Sequence, residues 1–472
     1  MRRLILAAAA LVLAAGLAHA QDFSPVELQQ RAMERRTVEA VIWGTPAVNH
    51  DIMLQEMLTK TNGKVNQVIY WGKPLNWHNQ TLTPNPDTLY LMSFFNTREV
   101  GPIVVEIPPT TSEGSLNANF VNIWQAPLED AGLLGADKGE GMKILVLPPG
   151  YSDPVSDEYH AIRPDTHGSY MLIRSNMKSH GDADVAKSVA YAKQIKIYAL
   201  SQGPRPPETV FNDVNDVLFD TTIRYDDSFF VHLNRIIQSE PWFDRDCAMI
   251  DPLRTLGIEK GKTFAADEAT KQALNAGIRE AHAWMEAKYD AAPPPFFEGT
   301  DWTFPGHPEL IKAASDGFAD PNTYPTDWRG LAYSYAYIGI KRMGAGQFCL
   351  LNIKDKDGET YDGAKTYKLH VPANVPVEQY WSLTAYDRQT QCADQRHGPC
   401  EPSLECRRGE EEPRRFGRSL CGPQGAQGPR IELDTHRPCA KVGIHVSALR
   451  SKTGIFREKP WTLPDVVKVQ AQ

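Results

Sequence analysis

Between Trp77 and Tyr90 the chain collects side chains able to hold a small molecule: Trp77, His78, Asn79, Thr83, Asn85, Asp87, Thr88 and Tyr90. Amide, hydroxyl and carboxylate groups offer directional hydrogen bonds, and the aromatic faces beside them offer stacking area. That mixture suits a small polar or sugar-like ligand. Pro84 and Pro86 flank Asn85, fix the backbone on either side of it and exclude a helix or a central strand there. The stiff loop opens directly into the apolar run Leu89–Phe95, and loops at a strand's entrance are frequent carriers of binding residues. A structural use competes, because Asn85 and Asp87 are also the residues that form Asx turns and pin a strand. Trp71, and Trp43 with Asn49, His50 and Asp51, lie upstream and suit either a ligand or a plug at a domain junction.

No reaction can be assigned. The chain has no H-E-x-x-H and no C-x-x-C, and His160 and His167 fall in a loop-like stretch with Pro164 and Gly168, so neither metal nor cofactor is expected. Asp355-Lys356-Asp357-Gly358 lacks the further acidic positions of a calcium loop and reads as a hairpin turn. There is no G-x-S-x-G and no glycine-rich phosphate cradle after a strand. Adjacent carboxylates such as Glu129-Asp130 and Asp226-Asp227 read as solvated turns, which leaves no glycosidase pair to choose.

The elements that must position these residues begin with an export leader. Met1-Arg2-Arg3 is its charged end, Leu4 to Leu17 its apolar stretch and Ala18-His19-Ala20 its small-x-small cleavage site. Cleavage after Ala20 leaves Gln21 first and puts the protein in the periplasm or outside the cell, with no later segment apolar enough to span a bilayer. Loss of Arg2 and Arg3 takes the net charge from −8 to −10, and no basic stripe marks a nucleic-acid partner. A chain of 472 residues exceeds one ordinary core, so several domains are expected.

Residues 21–65 read as N-terminal helices. Ser24, Pro25 and Glu27 form a capping box, and Trp43-Gly44-Thr45-Pro46 reads as the end of the first helix. Residues 66–180 have the short apolar runs and Pro/Gly/Asn punctuation of a β-sandwich. Residues 181–327 read as helical: Val185, Val189, Ala192, Ile195 and Tyr198 recur at helical steps, as do Phe229, Leu233, Ile236 and Ile237, and then Leu274, Ile278, Ala281 and Met285. Residues 328–472 return to strand texture, notably Phe348–Ile353, Tyr367–Val371 and Tyr380–Asp387.

Two blocks resemble a bacterial two-domain family of unknown function, DUF1254 followed by DUF1214. The first runs from about Thr81 to Ala199, with the polar loop and strand and then Gly101-Pro102-Ile103-Val104-Val105-Glu106-Ile107-Pro108; the second runs from about Asp355 to Asp387, with Asp357-Gly358, Asp362-Gly363-Ala364, Tyr367-Lys368-Leu369-His370 and Tyr380-Trp381-Ser382-Leu383-Thr384, and Trp461 to Asp465 resembles the family's ending. The resemblance implies an exported α+β multidomain protein: an immunoglobulin-like β-sandwich, a helical segment, then a jelly-roll-like β-domain. It transfers no catalytic residue. The expected function is small-ligand binding, or an accessory role, at an interdomain site near the Asn85/Asp87 loop. The alternatives are a metal-independent hydrolase of small esters or glycosides, or a structural homo-oligomer.

Residues 392–451 depart from the family. Five of the 7 cysteines lie between Cys392 and Cys439, amid arginine, glycine and proline. Read one base later, codons for Cys392–Gly398 permit Ala-Leu-Ile-Arg-Asp-Met, which resembles the family's continuation, and Ala440–His445 permits Gln-Arg-Trp-Glu-Phe. A frame-shift explains this segment and leaves the C-terminal β-domain incomplete; a disulfide-bonded or metal-binding insert is the rival. Resequencing across 392–451 is expected to restore the shifted frame, and unchanged bases with paired cysteines would overturn it. Intact-mass analysis of the exported protein is expected to begin at Gln21; a retained leader would refute cleavage.

Overall fold

The computed structural model describes residues 23–291, 294–336, 339–342, 347–363, 365–372, 375, 377–392 and 461–469, and the backbone of five strands between 403 and 451. The leader and Gln21 lie outside the described residues, as do Cys400 and Cys439.

Helix α1 (Pro25–Lys60) starts as its cap dictates. Ser24 Oγ accepts from the Glu27 amide at 3.2 Å and the Glu27 carboxylate accepts from the Ser24 amide at 2.9 Å. It does not stop at Trp43-Gly44-Thr45-Pro46; it continues to Lys60 with Pro46 inside. Pro46 has no N–H, so the Ile42 carbonyl loses its helical donor. A second helix backbone closes over this fault at Gly330, where an added Cβ would stand 2.4 Å from the Ile42 oxygen. Tertiary packing thus overrides the local signal.

From Ala40 to Asp51 every residue of α1 is buried, and a helix buried all round needs neighbours on every face. After α2 (Asp182–Ala192) come α3 (Ser228–Ser239), α4 (Ile250–Thr255), α5 (Glu268–Asp290), α6 (Pro308–Ser315) and α7 (Thr326–Tyr335). Leu233 and Ile236 of α3, Leu274 and Ile278 of α5 and Leu331 of α7 share one core with Val41, Ile42 and Val48 of α1. The periodicity read for α3 and α5 is the buried face of each, and Asp267 caps α5 through the Thr270 amide at 2.8 Å. The helical spacing read through Ile195 and Tyr198 fails: Lys196–Ala199 is a strand, paired with Ile103–Glu106.

The N-terminal β-domain comprises β1 (Val68–Tyr70), β2 (Asn79–Gln80), β3 (Thr88–Asn96), β4 (Ile103–Ile107), β5 (Leu116–Asn122), β6 (Pro127–Gly132), β7 (Met142–Val146), β8 (His160–Ile162), β9 (Gly168–Asn176), β10 (Lys196–Ala199), β11 (Phe211–Asp213) and β12 (Phe219–Asp220). A six-stranded sheet runs β11-β1-β3-β9-β5-β6 and a four-stranded sheet β10-β4-β7-β8. Leu91, Phe95, Phe120 and Ile173 of the first meet Ile103, Val105 and Ile144 of the second. The other face of β3, with Tyr90, Met92 and Phe94, packs on Met53 and Met57 of α1. Covered on both sides, β3 has to be an unbroken apolar run rather than an alternating one.

The C-terminal part has β13 (Gln347–Asn352), β14 (Tyr367–His370), β15 (Val377–Asp387), β16 (Ser403–Arg407), β17 (Arg414–Gly417), β18 (Ser419–Gly422), β19 (Arg430–Asp434), β20 (Val442–Ser451) and β21 (Val467–Lys468). They form sheets β13-β20-β15-β18 and β17-β16-β19-β14-β21. Leu350 and Leu383 of one meet Tyr367 and Leu369 of the other, with Trp302 and Leu463. Backbone strands therefore run through much of 392–451, although nothing in that sequence signals them. Asp357-Gly358 makes the expected tight turn, with Gly358 at φ 80° and Asp355 Oδ1 accepting from the Asp357 amide at 3.0 Å. The whole is a mixed α+β fold with eight α-helices among the described residues, counting a single turn at Thr97–Val100, and no sheet closed into a barrel. No helix among them is long and apolar enough to cross a membrane.

Gly330→Ala is expected to destabilise the protein by about 1–3 kcal/mol, because the new methyl overpacks the Ile42 carbonyl. Chemical denaturation measures this, and an unchanged midpoint would show that α7 is not seated tightly on α1.

Candidate functional site

Its own side chains brace the loop between β2 and β3. Asn79 Oδ1 accepts from the Thr81 hydroxyl at 2.7 Å and from its amide at 3.3 Å. Asn85 Oδ1 accepts from the Asp87 amide at 2.9 Å, which is an Asx turn. The Asn85 amide donates to Tyr90 Oη at 3.3 Å, and the Thr88 hydroxyl donates to the Ser175 carbonyl of β9 at 2.8 Å. Thr83 sits in the left-handed region at φ 46°, which a threonine adopts only where its surroundings impose it.

Those surroundings are the C-terminal domain. The Thr83 amide donates to the Gln391 carbonyl at 2.8 Å, the Tyr386 hydroxyl donates to the Pro84 carbonyl at 2.9 Å, and the Cys392 thiol donates to the Thr81 carbonyl at 2.9 Å. Burial pushes the Tyr386 phenol well above its usual range, so it keeps the proton it donates. The loop is the seam between the two domains.

Behind the seam is a cavity of about 180 Å³. Thr83, Asn85 and Tyr90 line it, joined by Gln125 and Arg174 from the same domain and by Cys349 and Tyr386 from the C-terminal one. The remaining wall comes from the α6–α7 region: Phe304, Leu310, Ile311 and Phe318, with Arg329 and Tyr333. Asn79, Asp87 and Thr88 are buried in the loop's bracing and do not reach the lining. Trp77 stacks on His78 at 3.8 Å between ring centres, half-buried and off the wall. Trp43 and Trp71 pack in the core, the former donating to Asp246 Oδ1 at 2.9 Å.

Two buried guanidiniums give the cavity its charge. Arg174 donates to Asn119 Oδ1 at 2.9 Å and to Tyr90 Oη at 3.4 Å. Asn119 in turn donates to Asp130 at 2.8 Å, and Glu129 beside it receives the fork of Arg342 at 2.8 and 3.0 Å. The adjacent carboxylates read as a solvated turn are therefore buried and paired. Arg329 donates to the Trp124 carbonyl and the Tyr324 hydroxyl, and its charge lies 5.0 and 4.9 Å from the Phe318 and Tyr324 ring centres. Burial lowers its pKa to about 10. Gln125, at φ 56°, ties the wall to α1 by donating to the Pro46 carbonyl at 2.9 Å and Asn49 Oδ1 at 2.7 Å, while its own carbonyl accepts from Tyr333. Among the described residues no three His, Cys, Asp or Glu side chains gather as a metal site.

A family model for proteins of unknown function, DUF1254, matches residues 65–199, and a second, DUF1214, matches residues 346–401. The two matches give the chain the DUF1254-then-DUF1214 order of that two-domain family. The first match contains the loop, β3 and Arg174; the second contains Cys349 and Tyr386 and the Gln391 and Cys392 groups that bond to the loop. Among solved structures the chain is similar to the VPA0106 protein from Vibrio parahaemolyticus, at 14% identity and a TM-score of 0.55 over 93% of this chain and 100% of that one. At that identity the likeness concerns the fold alone. It also matches an uncharacterized protein from Burkholderia cenocepacia, at 11% identity and a TM-score of 0.36 over 93% and 94% of the two chains. No curated protein sequence matches it.

Sequence reasoning missed both arginines and the α6–α7 wall. Arg174 had a signal, a charge directly after the apolar strand run Tyr170–Ile173; Arg329 had another, a charge one place from Trp328 and two from Leu331 on an apolar helix.

Buried Asp87 pairs with His180 Nε2 at 3.0 Å, and this hydrogen bond raises the His180 pKa. The stabilisation is full below about pH 6.5, the unfolded value, and vanishes as pH rises through the higher folded value. His180→Gln is expected to lower the unfolding midpoint at about pH 5.5 and hardly at all at about pH 9, by no more than about 1 kcal/mol because half the ring is in water. Equal losses at both pH values would assign the effect to packing instead of charge.

Proposed function

We propose that this is an exported small-ligand-binding protein whose ligand occupies the cavity between the two domains, against the Asn85/Asp87 loop. The composition of the lining carries this reading. An apolar wall faces hydroxyl, amide and guanidinium groups, and no described lining residue bears a carboxylate or an imidazole. A hydrolase of esters or glycosides needs a base beside its nucleophile or a pair of carboxylates. The described lining offers an apolar wall and neutral or cationic groups in place of these, which favours the binding reading over the hydrolase. The leader supports a periplasmic or secreted site of action. The two-layered packing of each β-part supports an immunoglobulin-like first domain and a jelly-roll-like second one.

Thermal unfolding of the mature chain against a panel of small polar and amphipathic compounds tests the proposal, since a ligand at a hundred times its Kd stabilises by about 2.7 kcal/mol. Ala332→Phe, which fills the cavity from its wall, is expected to abolish the ligand-induced shift. Asp87→Ala, behind the wall, is expected to lower stability by about 1 kcal/mol and keep the shift. A shift that survives Ala332→Phe would put the ligand elsewhere and end the proposal.

A further inference from the structure

We propose that the ligand of this cavity is a small monocarboxylate with an apolar body, its carboxylate taken by the buried guanidiniums of Arg329 and Arg174. The inference rests on the binding reading above and narrows it to a chemical class.

Arg329 is the stronger argument. It is 3% exposed, and its hydrogen bonds go to a carbonyl and a phenol, both neutral. Among the described residues it forms no ion pair. Among the charges that act on it, Arg245 repels it and Asp246 and Asp165 attract it. Asp246 is already engaged, by the Trp43 indole at 2.9 Å and by Arg245 at 3.6 Å, and Asp165 accepts from Asn122 at 2.7 Å. A buried cation without a partner anion is unfavourable, and an incoming anion relieves that. Arginine's planar fork is also the side chain best matched to a carboxylate. Arg174 brings a second buried cation to the same lining.

The rest of the wall decides what kind of anion fits. Phe304, Leu310, Ile311, Ala314, Phe318 and Ile340 present hydrocarbon, against which phosphate, sulfate or a sugar acid would lose its hydration without replacement. An apolar body removes that difficulty. A cavity of about 180 Å³ sits slightly above the roughly 150 Å³ that holds a benzene ring, which sets the scale at one ring or a chain of about six carbons.

The experiment is calorimetric titration of the mature chain with benzoate and hexanoate, each set against its neutral isostere, benzamide and hexanamide. The acids are expected to bind about ten- to a hundredfold more tightly than the amides, with Ala314→Phe abolishing the binding and Arg329→Gln erasing the preference. The acid–amide comparison needs no variant, so it stands even if Arg329→Gln misfolds. Amides binding as tightly as acids, with Ala314→Phe still blocking both, would overturn the carboxylate inference and leave cavity binding intact. Acid binding that ignores Ala314→Phe would overturn both readings. Failure of all four probes to bind overturns the inference alone, because the compound panel judges the broader reading separately.

Discussion

The Ile42 carbonyl has no donor in its own helix, because the residue four places along is Pro46. A buried backbone carbonyl left bare is unfavourable, and its depth in the molecule obliges other elements to close around it. Gly330 of α7 covers it from one direction. The Pro46 carbonyl, on the next turn, accepts the side-chain amide of Gln125 from the β-domain. Two neighbouring turns of this one helix therefore meet α7 and the β-domain. Those two positions set the cavity, since Arg329 belongs to α7 and Gln125 to the facing wall.

The seam loop has both of the roles its sequence left open. Asn85 makes the Asx turn and also lines the cavity; Thr83 is held in a left-handed backbone by the C-terminal domain and lines it too. Asp87 belongs to the bracing, with its charge turned toward His180. Bracing and lining share one loop because a wall that must hold a fixed shape between two domains needs a stiff backbone.

Much of the architecture could be read from local pattern. The Ser24–Glu27 box, the faces of α3 and α5 and the apolar run of β3 each had a strong periodic or capping signal, and each formed. What escaped depended on partners distant in sequence. Nothing local in Trp43-Gly44-Thr45-Pro46 reveals that Gly330 will cover the fault, and nothing in Lys196–Ala199 reveals the edge of β4 waiting for it. The site divided the same way: Thr83, Asn85 and Tyr90 stood out by type and spacing, whereas Arg174 and Arg329 acquire meaning only once burial removes them from water.

The hydrogen bond from Tyr386 to the Pro84 carbonyl joins residues 302 positions apart. Contacts of such separation form late, because a long loop must close before they contribute anything. The N-terminal β-domain carries its own core and is synthesised first. At that stage the loop exposes the Thr81 and Pro84 carbonyls and the Thr83 amide to water. Docking of β15 and the chain through Cys392 satisfies all three. The cavity's last wall, Cys349 and Tyr386, comes with them, so the pocket is complete only once the two parts of the chain have docked.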